Sequence, residues 1–96
     1  MLIRSQNKEV LATLELLFDI EVSGGVISAR RDMSWCCLLG EYSTKAKAMK
    51  VLDMIQEAYS EYQIMFNFSV SYLHEFKEKT DGFAIFQMPE DSEVEA

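Results

Sequence analysis

Apolar and polar residues alternate with period two at several points along the chain, which is the mark of strands with one buried face. Phe18, Ile20 and Val22 are separated by Asp19 and Glu21. Ser23-Gly24-Gly25 follows, and two glycines can both take the positive φ that a type I′ hairpin turn demands. FDIEVS returning as VISARR is therefore expected to be a hairpin. A two-residue Gly24-Gly25 loop fixes its register: Val22 faces Ile27, Ile20 faces Ala29, and Asp19 faces Arg30 as a cross-strand charge pair. Residues 2–4, LIR, read as a short strand. The segment EVLATLELLFDIEV is ambiguous in its first half. Val10, Ala12, Leu14 and Leu16 alternate as a strand would, while Leu11, Leu14 and Leu17 also suit a helix.

Arg31-Asp32-Met33 reads as a turn into SWCCLL, the third strand of a meander, which Gly40 ends. Ser43 or Thr44 can cap the helix that follows. Ala48, Leu52, Ile55, Tyr59 and Tyr62 recur at spacings of four and three, and Val51 and Ala58 widen that stripe. They predict a core-facing helix over about 44–62. Its other face carries Lys45, Lys47 and Lys50 first, then Asp53, Glu57 and Glu61. That order opposes the helix dipole, and the acids form like-charge i,i+4 pairs. A charge order set against helix stability points to a surface used for something else. FNFSVSY alternates again as a strand, the alternative being a helix that runs on into the low seventies. HEFKEKTDG is a charged connection, and FAIFQM, 83–88, is a last strand that Pro89 ends. The fold class is α+β: an antiparallel meander of about four or five strands packed by one main helix. Residues 1–89 form the domain, and 90–96 form a flexible acidic tail.

Composition sharpens this picture. Ninety-six residues, 49% hydrophobic and 11% aromatic, make one globular domain with one modest core. The net charge is −7. More than half of it sits after Pro89, in Glu90, Asp91, Glu93 and Glu95. Net acidity opposes direct nucleic-acid binding, which needs a concentrated basic surface, and favours a basic protein partner. No apolar run is long enough for a membrane span, the start lacks the apolar core of a signal peptide, and two adjacent cysteines make no disulfide framework. Those features predict a cytoplasmic protein.

The catalytic vocabulary of the chain is thin. It contains no phosphate-cradling glycine motif, no H-E-x-x-H and no nucleophile elbow. Its one histidine, His74, sits beside Glu75 as a surface pair would. Cys36 and Cys37 point to opposite faces of a strand, so they cannot share a metal. No catalytic residue, metal or cofactor is expected, and the protein reads as no enzyme. Two features favour binding instead. Acids spaced along a rigid face (Asp53, Glu57 and Glu61, with Glu90, Asp91 and Glu93 assisting) can imitate a phosphate backbone and occupy a partner's basic groove. The apolar surplus on a two-faced strand, with Trp35, Cys37 and Phe68, would serve self-association as a homo-oligomer. A small-molecule site is the third reading.

The blocks MLIRSQNKE, LGEYSTKAKAMKVLDMIQEAYSEYQ and FQMPEDSEVEA cover a little under half of the chain. In them the sequence resembles a group of short proteins encoded by Gram-positive bacteria and by their phages and prophages. The resemblance implies a cellular setting and carries over no catalytic residue. By analogy with other small acidic proteins of mobile elements, it points to stoichiometric binding of a host protein, as an anti-CRISPR-type or other anti-defence inhibitor does.

Overall fold

The computed structural model of the protein describes residues 1–17, 19–32, 35–67 and 85–95. In chain order these form β1 (Leu2–Arg4), β2 (Leu11–Thr13), a 3-10 turn at Leu14–Leu16, β3 (Asp19–Ser23), β4 (Val26–Asp32), β5 (Trp35–Glu41), α1 (Lys45–Asn67), β6 (Ile85–Gln87) and a 3-10 turn at Asp91–Glu93. The class is α+β. The six strands make two three-stranded sheets rather than one continuous meander. One sheet is the expected antiparallel meander, β3-β4-β5. The other has the order β2-β1-β6, with β1 antiparallel to β2 and parallel to β6. Arg31 and Asp32, expected in a turn, belong instead to β4, which runs to Asp32; Met33 lies outside the described residues.

The β3–β4 hairpin has the register that its turn and alternation predict. Asp19 lies opposite Arg30, Ile20 opposite Ala29 and Val22 opposite Ile27. Arg30 donates to Asp19 at 3.0 and 3.3 Å and also bonds Glu21. Of the two loop glycines, Gly24 alone has a positive φ, 59°. That is the pattern of a type II′ turn, with the left-handed residue at the first central position. Gly25 is needed for room: a Cβ there would lie 2.1 Å from the Tyr42 carbonyl oxygen. The close approach exists because the Tyr42 N–H donates to the Gly25 carbonyl at 2.7 Å.

β5 does not stop at Gly40 but runs on to Glu41, with a bulge. Ile27 pairs with Gly40 while Ser28 pairs with Leu38, so Leu39 is the extra residue. A bulged residue is left out of the ladder, and here its carbonyl accepts the Gln6 N–H at 2.7 Å. The Gln6 amide also caps Glu41 on both sides, accepting from its N–H at 2.9 Å and donating to its carbonyl at 3.0 Å. One side chain thus imitates a strand residue and ties the two sheets together.

The core lies between the sheets and α1. Ile3, Ile27, Ala29, Ala48 and Val51 are fully buried, with Leu39, Met88, Ile55, Tyr42 and Val94 around them. α1 packs on β3 and β4 through the predicted stripe, with Leu52, Ala58, Tyr59 and Tyr62 half-buried at its margin. The helix is longer than the expected 44–62 and takes in Phe66 and Asn67, which the alternation of FNFSVSY had assigned to a strand. Propensity does not oppose the extension, since QIMFN contains neither Gly nor Pro. The rest of that expected strand, His74 and the charged connection lie outside the described residues. Thr44 is the helix cap: its Oγ1 accepts the Lys47 N–H at 3.1 Å.

Candidate interaction surface

α1 brings Asp53, Glu57 and Glu61 into line. At a spacing of four they fall one turn apart, in a row about 12 Å long. All three are exposed, and the row lies opposite the buried Ala48–Val51–Ile55 stripe. Lys50, also exposed, stands one turn before it. The same solvent side carries apolar groups: Met49, Met54 and Ile64 are 41%, 36% and 59% exposed. The face is therefore a row of carboxylates with thioether and aliphatic contacts among them.

The C-terminal acids are placed differently. From sequence alone 90–96 is a flexible tail. In the structure residues 90–94 are docked on the body. Glu90 and Glu93 form a capping box around the Asp91–Glu93 turn, with the Glu90 N–H donating to Glu93 Oε1 at 2.9 Å. Val94 is 4% exposed and belongs to the core. Asp91 accepts the Ser43 N–H at 2.7 Å and meets Lys47 Nζ at 3.5 Å. These contacts hold its carboxyl below the usual carboxylate range, the Ser43 backbone bond first among them. The sequence signal for this docking was weak. Val94 is one apolar residue among acids, and its burial depends on a socket from distant parts of the chain.

Asp91 supplies what the first turn of α1 lacks. That turn contains no acid, yet a helix N-terminus favours negative charge. The acid arrives from the far end of the chain. It follows that the two groups of candidate acids do not form one surface. Lys47, which Asp91 meets, is six residues from Asp53, so about 9 Å along the helix and about 120° around it.

Tyr42 anchors the same docked segment. Its hydroxyl donates to the Pro89 carbonyl at 2.8 Å, and Gln6 Nε2 reaches that carbonyl at 3.2 Å. Burial pushes the phenol up to about 12, and the negative charges of Glu90, Asp91 and Glu93 add to the rise.

Of the three residues expected on a self-association face, Cys37 is the one whose side chain is described. Cys37 lies opposite Ala29 and packs on the core, half-buried. The Trp35 side chain and Phe68 lie outside the described residues. Cys36 is exposed on the opposite face, so the two thiols do point apart. Burial raises the Cys37 thiol, helped by its neighbour Cys36. Among the described residues, no three His, Cys, Asp or Glu side chains come together as a metal site, and no helix is long and apolar enough to cross a membrane.

Two depressions are lined by described residues. One, about 220 Å³, lies beside Gln6, Leu38 and Glu41. The other, about 190 Å³, lies beside Leu11, Leu16, Leu17 and Arg31. Both fall below the ~300–1,000 Å³ usual for small-molecule sites. The second was not visible in the sequence, because the ambiguous reading of 10–17 left the outward side of those leucines undefined. Comparison with protein-family models, with curated proteins and with solved structures finds no match to this chain.

Proposed function

We propose that this protein is a small, acidic, non-enzymatic interaction protein of phage or prophage setting. It acts in the cytoplasm by stoichiometric binding to a basic surface of a host protein, as an anti-CRISPR-type or other anti-defence inhibitor. The observation that carries the reading is the exposed row Asp53, Glu57 and Glu61 on one rigid helix. A row of fixed charges lets a partner's basic groove meet several carboxylates at once, which steers encounter and sets register. Met54 and Ile64 on the same side add apolar contact that charge alone would lack.

The test is a tagged pull-down from host lysate at low and then high salt, repeated with Asp53, Glu57 and Glu61 all changed to Ala. A basic partner that salt elutes, and that the triple variant loses, supports the reading. Retention of the same partner by the triple variant overturns it. The variant is expected to fold at least as well as the parent, because Asp53–Glu57 and Glu57–Glu61 are like-charge pairs whose removal is worth a few tenths, about 0.2–0.5 kcal/mol each. Thermal melting of the two proteins checks this.

A further inference from the structure

Residues 89–94 sit on the body as a self-contained peptide. The backbone bonds of its turn are internal: the Glu93 N–H donates to the Glu90 carbonyl at 3.0 Å, and the Val94 N–H donates to the Asp91 carbonyl at 3.3 Å. The capping box between Glu90 and Glu93 is internal too. The body holds this preformed turn at three points. Tyr42 Oη and Gln6 Nε2 both donate to the Pro89 carbonyl, at 2.8 and 3.2 Å. Two residues on, the Ser43 N–H donates to Asp91 Oδ1 at 2.7 Å, and Lys47 Nζ lies 3.1 Å from the Asp91 carbonyl and 3.5 Å from its Oδ2. Three residues further, Val94 is buried with the core cluster. Glu90, Ser92 and Glu93, between the anchors, are exposed.

The body therefore reads a carbonyl, a carboxylate and an apolar side chain at fixed spacing, which is how peptide-recognition sites select a motif. Its present occupant is poorly matched in charge. Glu90, Asp91, Glu93 and Glu95 place four acids within six residues, in a molecule of net charge −7. Among the described residues, Lys47 is the cation bonded to them. Such crowding of like charge works against the compact arrangement, and a segment held by side-chain anchors outside any sheet opens at lower cost than the core.

We infer that the ground under this segment is a peptide-binding site, held shut in cis, for a partner segment that carries an Asp followed three residues later by a branched apolar residue. The partner's carboxylate takes the Ser43 N–H and the Lys47 ammonium, and its apolar side chain takes the place of Val94. A partner with neutral residues between these anchors keeps both and sheds the repulsion. The cis segment competes through its high effective concentration, so the site is an autoinhibited one. It lies apart from the acidic row of α1, and the inference stands without that reading.

The test uses the full chain and a fluorescein-labelled peptide of residues 87–95 in which Glu90→Gln and Glu93→Gln leave Asp91 and Val94 as anchors. The parent is compared with an opened full-chain variant, Asp91→Ala with Val94→Ser, whose receptor groups are intact and whose folding is checked by thermal melting. By fluorescence anisotropy the peptide should bind the opened variant and bind the parent at least about tenfold more weakly. Peptides that also carry Asp91→Asn or Val94→Gly should bind the opened variant about tenfold more weakly than the first peptide. A folded opened variant that binds no peptide overturns the inference, as does equal binding of the peptides without an anchor or equal binding by parent and variant. Hydrogen exchange in the parent is an independent measurement. The Glu93 and Val94 amides should exchange through a local opening, and exchange only with the whole protein overturns the release. A parent dimer by light scattering that the opened variant lacks would place a second copy's segment in the site, and also overturns the inference.

Discussion

At the scale of single residues, the backbones of Gly25 and Tyr42 approach so closely that a Cβ at Gly25 has no room. The sequence marks Gly24-Gly25 as a turn but gives one reason, positive φ, for both positions. Only Gly24 uses it. Gly25 answers to a neighbour seventeen residues away, and no local pattern encodes that. Its replacement separates the two reasons. In Gly25→Ala, a methyl group would stand 2.1 Å from the Tyr42 oxygen, so β4 or the strand end at Tyr42 must shift. The expected loss is about 1–3 kcal/mol, read as a lower urea midpoint at unchanged slope. A midpoint equal to the parent's would mean that the approach is looser than described.

At the scale of elements, legibility followed the range of the forces involved. The β3–β4 register was readable because a two-residue loop and strict alternation both act within a dozen residues. The core stripe of α1 was readable for the same reason. β2 was not: Leu11–Thr13 is three residues long, and its strand form depends on pairing with β1 rather than on its own pattern. The end of α1 stayed open between strand and continued helix because FNFSVSY alternates, and period two over seven residues competed with a helix already under way; the helix runs on to Asn67. The adverse charge order of α1 was correctly read, but its remedy was hidden. Asp91 reaches the first turn from a segment that looked like a free tail, so the candidate acids divided into one exposed row and one structural anchor.

That anchor has a pH signature. The folded protein lowers the carboxyl of Asp91 from the ordinary 3.8. A lowered value means that the ionised form is favoured by folding. Its contribution is present above the unfolded value and is lost as pH falls through the folded one. Asp91→Asn should therefore be less stable than the parent at neutral pH, with the gap closing as pH drops below about 3.8 toward the lowered value. Thermal melting of both proteins from pH 7 to pH 2.5 checks it. A constant gap would assign the effect to shape and hydrogen bonding rather than charge.

At the scale of the whole molecule, three distant segments, 1–9, 39–63 and 86–95, meet at one joint. Gln6 comes from the first. Leu39, Glu41, Tyr42 and Ser43 come from the second, and Gln87, Pro89 and Asp91 from the third. Gln6 bonds Leu39, Glu41 and Pro89; Tyr42 bonds Pro89; Ser43 bonds Asp91; Gln87 Nε2 donates to the Ser5 carbonyl at 2.9 Å. The exposed acidic row of α1 lies apart from this joint. Replacing Gln6 by Ala should cost about 0.5–1.5 kcal/mol per bond lost, less where water can replace the partner. The change leaves the acidic row untouched, so partner capture should persist at temperatures where the variant stays folded.

The parallel pairing of β1 with β6 also orders events in time. Contacts within β3-β4-β5 and its helix close short loops. The β1–β6 pairing and its joint close across most of the chain: Gln6 and Pro89 are 83 residues apart. Distant closure costs more chain entropy before any contact rewards it. The meander should accordingly form in the folding transition state, and β6 should dock after it. In stopped-flow refolding, Ile27→Val should slow the folding limb, while Phe86→Ala should chiefly speed unfolding. The native protein would then open first at β6, and the meander would outlast it.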